Sequence, residues 1–570
     1  MRLKLLSIII LISFLYLIIG LGYTQIIKGE FYKGLSENNR IRLIPIPALR
    51  GNIYDRNGAV LANSRPSFDA CIVPQDFKDE AVVLLAKVLD LTPEEILHRL
   101  AKGRSAPFAP VVIARDIDQR SATILEEHSR ELPGVVVQVK GLRYYPQGGV
   151  CCHILGYLGQ RTSAELEGIR RYGYQVRDLV GRTGVEERYD GWLRGEDGGK
   201  QVEVDYKGRF VKILGERPPK GGKDLHLTID IRLQQLAWDL LEGKFGAIIV
   251  MDPRTGEVLA MVSRPDYDPN WFIDPGYSSE RYKILEDPSS PLLNRAISCY
   301  YPPGSTFKVV VALAALELGK ISPASHRRCE GIYYLGGRGF RCWNEDGHGS
   351  IRLEEAIAYS CNIFFYQVGL MVGVDQLAKM ARYLGYGKPT GIELPGEARG
   401  LVPTRRWKKA KFGEPWYDGE TANLSIGQGY LSVTPLQAAR MISAIATDGT
   451  LPQPHLVKIP NTPRVSKRLD ILARNIKVVR DGMVKGVSRE GGTCHRAWVP
   501  GLAIAAKTGT AQVEMGRPHS WFIGFCPAED PKIVFCVFLE HGGYGSQEAA
   551  RLAGELIRGW NKIDIDKVEE

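Results

Sequence analysis

Ser305 and Lys308 stand three residues apart in Pro302-Pro303-Gly304-Ser305-Thr306-Phe307-Lys308, directly before the apolar run from Val309 to Leu316. On a helix these positions share a face, so the amine can reach the hydroxyl and the two can act as nucleophile and base. A serine that opens a helix also lies where backbone N–H groups lack partners and the helix dipole is positive, a favourable place for a developing oxyanion. Alone, Ser-x-x-Lys is common and usually means a capping serine and a solvated lysine. Its weight comes from Ser360-Cys361-Asn362 and Lys507-Thr508-Gly509-Thr510, which follow in that order. Lys308 can accept the Ser305 proton only when neutral, which requires its pKa to fall by ~2 to 3 units from ~10.4. Burial beside Lys507, a second cation, would do this. Ser360 can bridge the two amines and relay a proton, while Asn362 can hold Lys308 and a substrate amide. Thr508, Gly509 and Thr510 continue the strand-like Ala503 to Ala506, offering an edge to which an extended peptide can add; Gly509 leaves room for close approach. The backbone N–H groups of Ser305 and Thr510 are the natural oxyanion hole, worth ~3 to 4 kcal/mol per donor.

Several elements must position these groups. Asp230 can cap a helix carrying Leu233, Leu236, Ala237, Leu240 and Leu241 at helical spacing. Residues 245–251 and 258–262 flank Asp252-Pro253-Arg254-Thr255-Gly256 as an antiparallel hairpin. After it the chain reads as helical, with Ser305 opening a buried helix, until strands return at 503–513, 521–525 and 533–539. A last helix over 546–560 buries Leu552, Leu556, Ile557 and Trp560. Strands at both ends with helices between predict an α+β fold, one antiparallel sheet covered by helices. Upstream of the linker-like Pro218-Pro219-Lys220-Gly221-Gly222, residues 30–217 form a strand-rich region with a hairpin at Asn57-Gly58 and a helical segment near 81–100. It holds no catalytic constellation and reads as a spacer and docking module, with Tyr144-Tyr145 in its core.

The chain has 570 residues, 44% hydrophobic and 24% charged, enough for two or three folded domains. Its net charge of +10 is spread among acidic residues, which argues against a nucleic-acid surface. Arg2 and Lys4 precede Leu5 to Tyr23, an uncharged stretch that as a helix at ~1.5 Å per residue spans ~28 Å, about one bilayer core. Without an A-x-A-like cleavage site after it, this reads as an uncleaved single-pass anchor whose basic end stays cytoplasmic. The ten cysteines form no dense disulfide framework, and most read as buried small hydrophobes. His519 reads as a loop histidine and Cys494-His495 as lacking partners at metal-ligand spacing.

Together the three motifs resemble those of class B penicillin-binding proteins, and the chain is most similar to the elongation-specific penicillin-binding protein 2 group. Arg50-Gly51-Asn52-Ile53-Tyr54-Asp55-Arg56, Gly427-Gln428-Gly429-Tyr430 and Thr434-Pro435-Leu436-Gln437 fit the class. Phe412, Pro415-Trp416-Tyr417 and Ala506 to Val513 point to the subgroup, whereas Asn362 stands where many of its members are expected to carry aspartate. The resemblance implies a penicillin-binding transpeptidase fold over residues 218–570, a pedestal of the dimerisation type over 29–217, and a cytoplasmic tip and anchor over 1–28. It implies D,D-transpeptidation of peptidoglycan stem peptides at D-Ala-D-Ala through Ser305, on the outer side of the cell membrane. Covalent inhibition by β-lactams and a polytopic lipid II glycan polymerase as partner also follow from it. A hydrolase, either a D-Ala carboxypeptidase or a β-lactamase, would use the same nucleophile but needs a base to position water. A scaffold or β-lactam sensor would keep the pocket without turnover.

Cys329, Cys342, His348 and Cys361 lie between the first two motifs with gaps of twelve, five and twelve residues, and intervening glycines let the loop fold back. Three thiolates and an imidazole make a closed tetrahedral zinc set, although the spacing is not that of a standard finger; the alternative is a buried Cys361 beside a flexible loop. The resemblance adds that some penicillin-binding protein 2 members place metal ligands similarly. The chemistry itself requires no cofactor. A structural zinc would pin the second motif through Cys361.

Overall fold

A computed structural model describes residues 2–30, 41–103, 110–160, 179–204, 210–458 and 465–569. Residues 31–40, 104–109, 161–178 and 205–209 of the expected pedestal lie outside the described residues. The N-terminal helix, Arg2–Gly22, continues as a wider turn over Tyr23–Ile27. Within it the 22 residues Leu6–Ile27 form an apolar, exposed stretch, long enough to cross a bilayer.

The described chain forms two compact units, and neither is continuous in sequence. The smaller comprises residues 1–51, 63–144 and 191–223; the larger comprises 52–62, 145–190 and 224–570. In the smaller unit, the strand Val60–Ile72 runs on from Asn63 to pair antiparallel with Val135–Tyr144 and Val111–Ile117. Helices Val82–Leu89, Pro93–Gly103 and Gln119–Glu127 accompany this sheet, and Ile72, Leu85, Ile96, Val111, Ile113 and Leu125 close a core among them. A second, three-stranded antiparallel sheet joins Ile41–Ile46, Gly198–Val204 and Phe210–Arg217. The hairpin expected at Asn57-Gly58 forms in the larger unit: Asp55 Oδ1 accepts from the backbone of Asn57 (2.7 Å) and Ala59 (2.8 Å), fastening the turn.

The larger unit is built on a five-stranded antiparallel sheet. Its strands are β1 (Gly246–Met251), β2 (Val258–Arg264), β3 (Ala505–Ala511), β4 (His519–Cys526) and β5 (Ile533–Leu539), in the order β2-β1-β5-β4-β3. Its helices include α1 (Ile231–Leu240), α2 (Lys308–Glu317), α3 (Leu353–Ala358), α4 (Asn362–Val372), α5 (Arg405–Phe412), α6 (Asp418–Ser425), α7 (Pro435–Ala446), α8 (Ala473–Ser488) and α9 (Glu548–Glu569). Strand side chains alternate between faces, so each central strand feeds two cores. Ile248, Val250, Phe535, Val537 and Leu539 meet Leu233, Ala237, Leu552, Leu556, Ile557 and Trp560 of α1 and α9. The opposite face packs on α7, all of whose residues are buried. Buried on both faces, β1 and β5, and β4 after its opening His519-Ser520, read as continuous apolar runs.

The α+β expectation holds, with two refinements. Asp230 caps α1 by accepting from Arg232 N at 3.2 Å, but the last helix runs on to Glu569. The region expected to be wholly helical contains two small antiparallel pairs, His326–Cys329 with Gly349–Arg352 and Ile332–Leu335 with Arg338–Arg341. Turn-forming glycines break the helical pattern there. Strand β3 ends the sheet order, so it has one strand neighbour, β4, and an edge turned toward α8 and the Ser305 turn.

Candidate active site

Ser305 lies in a single 3₁₀ turn, Gly304–Phe307, and α2 begins at Lys308. The expectation that Ser305 opens the α-helix is therefore sharpened: in a 3₁₀ turn, residues i and i+3 lie directly over one another, which aligns Ser305 with Lys308. Gly304 takes φ +55° and donates its N–H to Gly427 O at 3.0 Å, while Thr306 Oγ1 donates to Pro303 O at 2.8 Å. Ser305 is half-buried and Lys308 fully buried.

The second motif forms the corner between α3 and α4. Ser360 adopts φ +54°, a conformation costing a non-glycine residue about 1 kcal/mol. In this pose it turns both its carbonyl and its hydroxyl toward Lys308. Lys308 Nζ lies 2.7 Å from Ser360 O, 3.1 Å from Ser360 Oγ and 2.7 Å from Asn362 Oδ1. On the other side of the hydroxyl, Lys507 Nζ lies 2.9 Å from Ser360 Oγ and donates to Thr508 O at 3.1 Å. Burial, and next the positive charge of Lys507, push the Lys308 amine well below its ordinary value. Burial likewise lowers Lys507 to about 8, with Cys494 opposing. Ser360 Oγ thus lies between the two amines.

Strand β3 packs against the Ser305 turn with almost no clearance. A Cβ on Gly509 would lie 2.7 Å from Pro303 O and 2.9 Å from the Thr306 methyl; one on Gly304 would lie 2.7 Å from Thr510 O. Gly509 thus serves approach by the nucleophile's own turn, where the motif alone suggested approach by substrate. Thr508 is buried and Thr510 half-buried. Gln428 Nε2 donates to Thr510 O at 3.1 Å, and Gly545 N donates to Thr510 Oγ1 at 3.2 Å.

Cys329, Cys342, His348 and Cys361 come together, with one candidate ligand atom from each within 4.8 Å of all the others. His348 Nδ1 is 3.5 Å from Cys329 Sγ and 3.6 Å from Cys342 Sγ. A tetrahedral zinc with its usual bond lengths sets sulfur and nitrogen donors about 3.6 Å apart, so the residues fit that ion. A hydrogen bond from Cys361, with a second from His348, holds the Cys342 thiol well below its ordinary value. The cluster touches the second motif twice. Cys361 Sγ caps α4 by accepting from Phe364 N at 3.5 Å, and Arg341 O accepts from Asn362 Nδ2 at 3.3 Å.

Residues 246–558 match the family described as "Penicillin binding protein transpeptidase domain", and residues 45–227 match "Penicillin-binding Protein dimerisation domain". The peptidoglycan D,D-transpeptidase MrdA of Escherichia coli K12 is 36% identical, covering 96% of this chain and 93% of its own. The chain belongs to the penicillin-binding protein transpeptidases. Penicillin-binding protein 2 of Helicobacter pylori, solved in complex with MreC, superposes with a TM-score of 0.83 at 31% identity, over 92% of this chain and 99% of that one. A chain from a study titled "Structural coordination of polymerization and crosslinking by a peptidoglycan synthase complex" superposes at 0.77 and 32% identity, over 98% of both.

Other residues of this penicillin-binding protein depart from their sequence reading. His519 is not in a loop: it is the buried first residue of β4, and its Nδ1 accepts from His541 N at 3.0 Å. Tyr145 is buried but belongs to the larger unit, donating to Glu186 Oε1 at 3.2 Å, whereas Tyr144 is exposed. All ten cysteines are free thiols, nine of them buried. Gly427, Gln428 and Gly545 were not singled out for the site; the Gly-x-Gly of 427–429 was the available signal. Because Gly509 has no room for a side chain, Gly509→Ala should slow acylation by a fluorescent penicillin about 10- to 100-fold, measured by timed gel labelling. An unchanged rate would mean that β3 and the Ser305 turn are not held in this register.

Proposed function

We propose that this penicillin-binding protein is a serine D,D-transpeptidase that cross-links peptidoglycan stems, and that β-lactams acylate the same serine. The observation that carries the reading is the buried Lys308 amine, set between Ser360 and Asn362 with Lys507 beyond the shared hydroxyl. As a neutral amine, Lys308 uses its two N–H bonds on Ser360 O and Asn362 Oδ1, the two acceptors at 2.7 Å, and keeps a lone pair for a proton. Ser305 Oγ gives its proton to that lone pair and attacks the carbonyl carbon of the D-Ala-D-Ala bond. The N–H groups of Ser305 and Thr510 receive the oxyanion, and Lys507, Thr508 and Gly509 align the peptide along the edge of β3. When the C–N bond breaks, the proton passes by way of Ser360 Oγ to the departing D-Ala nitrogen. An amine of a second stem then attacks the Ser305 ester, loses a proton to the same relay and regenerates the hydroxyl.

We assign residues 1–28 to the cytoplasmic tip and single-pass anchor, 29–217 to the pedestal and 218–570 to the transpeptidase domain, with the catalytic unit outside the cell membrane. A polytopic lipid II glycan polymerase is the partner this chemistry needs, since cross-linking consumes freshly polymerised strands. The test is cross-linking of uncross-linked strands by the purified chain. The parent should join them and Ser305→Ala should not; cross-linking by Ser305→Ala would overturn the assignment of the nucleophile.

We further assign a structural zinc to Cys329, Cys342, His348 and Cys361. It would hold the loop that carries Arg341 against Asn362 and take no part in proton transfer. Cys342→Ser should bind less than stoichiometric zinc by elemental analysis, melt at lower temperature and acylate more slowly. A parent protein without stoichiometric zinc would remove the metal from the account while leaving the serine chemistry intact.

A further inference from the structure

Helix α5 reads Arg405-Arg406-Trp407-Lys408-Lys409-Ala410-Lys411-Phe412, five cations in eight residues. Two of the five are paired. Lys408 is buried, with Nζ 2.6 Å from Glu420 and 3.5 Å from Glu414 and lying over the Tyr417 ring, and Arg405 pairs with Asp375 at 3.3 Å. Arg406, Lys409 and Lys411 are exposed. Lys411 is four residues from Trp407 and Lys409 three from Phe412, so the cations flank the rings.

The rings form a continuous surface. Trp407 meets Phe412 edge-on with centroids 5.6 Å apart and Tyr430 at 5.1 Å; Phe412 and Tyr430 are 5.4 Å apart, and Trp416 adjoins Tyr430 at 6.4 Å. Hydrogen bonds hold them in place: Trp407 N donates to Thr404 Oγ1 at 3.0 Å and Trp416 Nε1 to Thr421 Oγ1 at 2.8 Å. Even so, Phe412 remains 47% exposed and Tyr430 37%. Such a rigid, half-open aromatic patch with a charged rim has the make-up of a binding surface.

Its place along the chain ties it to the nucleophile. Gly427 O accepts from Gly304 N, Gln428 donates to Thr510 O, and Tyr430 follows three residues after Gly427. Three residues span at most about 11 Å, so the patch lies beside the Ser305 turn.

We propose that Trp407, Phe412, Trp416 and Tyr430, rimmed by Arg406, Lys409 and Lys411, form a subsite for the glycan strand that bears the reacting stem. This inference rests on the transpeptidase reading. A stem peptide reaches about 3.5 Å per residue, so with its D-Ala end at Ser305 the sugar it hangs from is tethered nearby. Pyranose rings present C–H faces that stack on aromatic rings, and the carboxylates of neighbouring stems are matched by the three exposed cations. The surface thus holds a polymer by its repeating unit, leaving Ser305 to act on the peptide.

The test uses the full-length chain and three probes: uncross-linked glycan strands with intact stems, fluorescent penicillin, which carries no glycan, and anionic phosphatidylglycerol vesicles. Phe412→Ala and the pair Lys409→Glu with Lys411→Glu should each raise the KM for strands about 5-fold, the charge variant losing its effect as salt is added. Penicillin acylation should stay at the parental rate in both. An unchanged KM, a parallel fall in penicillin acylation, or a change confined to vesicle binding would each overturn the subsite. Cross-linking that survives Ser305→Ala would instead overturn the transpeptidase reading, so the two failures are distinct.

Discussion

Two buried lysine amines share one buried serine hydroxyl, and the chemistry depends on that arrangement. Lys308 and Lys507 each lie about 3 Å from Ser360 Oγ, at 3.1 and 2.9 Å, so they are no more than about 6 Å apart. At an effective dielectric of about 20, two positive charges at that separation repel by about 3 kcal/mol, or about two pH units. Burial adds the larger share of the downward push on Lys308. Lys507 keeps its proton more easily because Cys494 opposes the effect of burial on it, whereas at Lys308 burial and the Lys507 charge push the same way. The fold thereby sorts two identical side chains into a base and a cation.

Most of the larger unit serves to keep that pair dry and in register. Lys308 begins a helix buried along nearly its whole length, and Lys507 lies on a strand paired along one side with β4. Between them Ser360 is held at a positive φ by the corner of α3 and α4, with Cys361 capping the second helix. The Cys/His cluster grips the same corner from outside through Cys361 Sγ and Arg341 O. Glycines at 304 and 509 remove the atoms that would otherwise hold the Ser305 turn away from the strand.

Much of this was legible from local pattern. The three motifs, the helix cap at Asp230, the hairpin β1-β2 and the apolar face of α9 are short-range signals, and each folds where the residues place it. The four metal-type ligands were also readable, because glycines between them allow the loop to close on itself. What pattern could not supply was the product of long-range adjacency. The 3₁₀ turn at Ser305 depends on Gly427, and the strained Ser360 depends on lysines 52 residues before it and 147 after. The small strand pairs over 326–352 form between four-residue segments too short to show alternation. The aromatic patch around Tyr430 joins rings from separate segments, whose meeting no local pattern shows.

The pH dependence of acylation by penicillin tests the lysine pair most directly. If Lys308 is the base and is held neutral by burial and Lys507, acylation is already fast at neutral pH and declines as pH rises past about 8, where Lys507 loses its charge. Lys507→Arg, which keeps its charge, should remove the decline even if the overall rate falls. A rate that climbs steadily toward pH 10, following an ordinary lysine, would contradict the account.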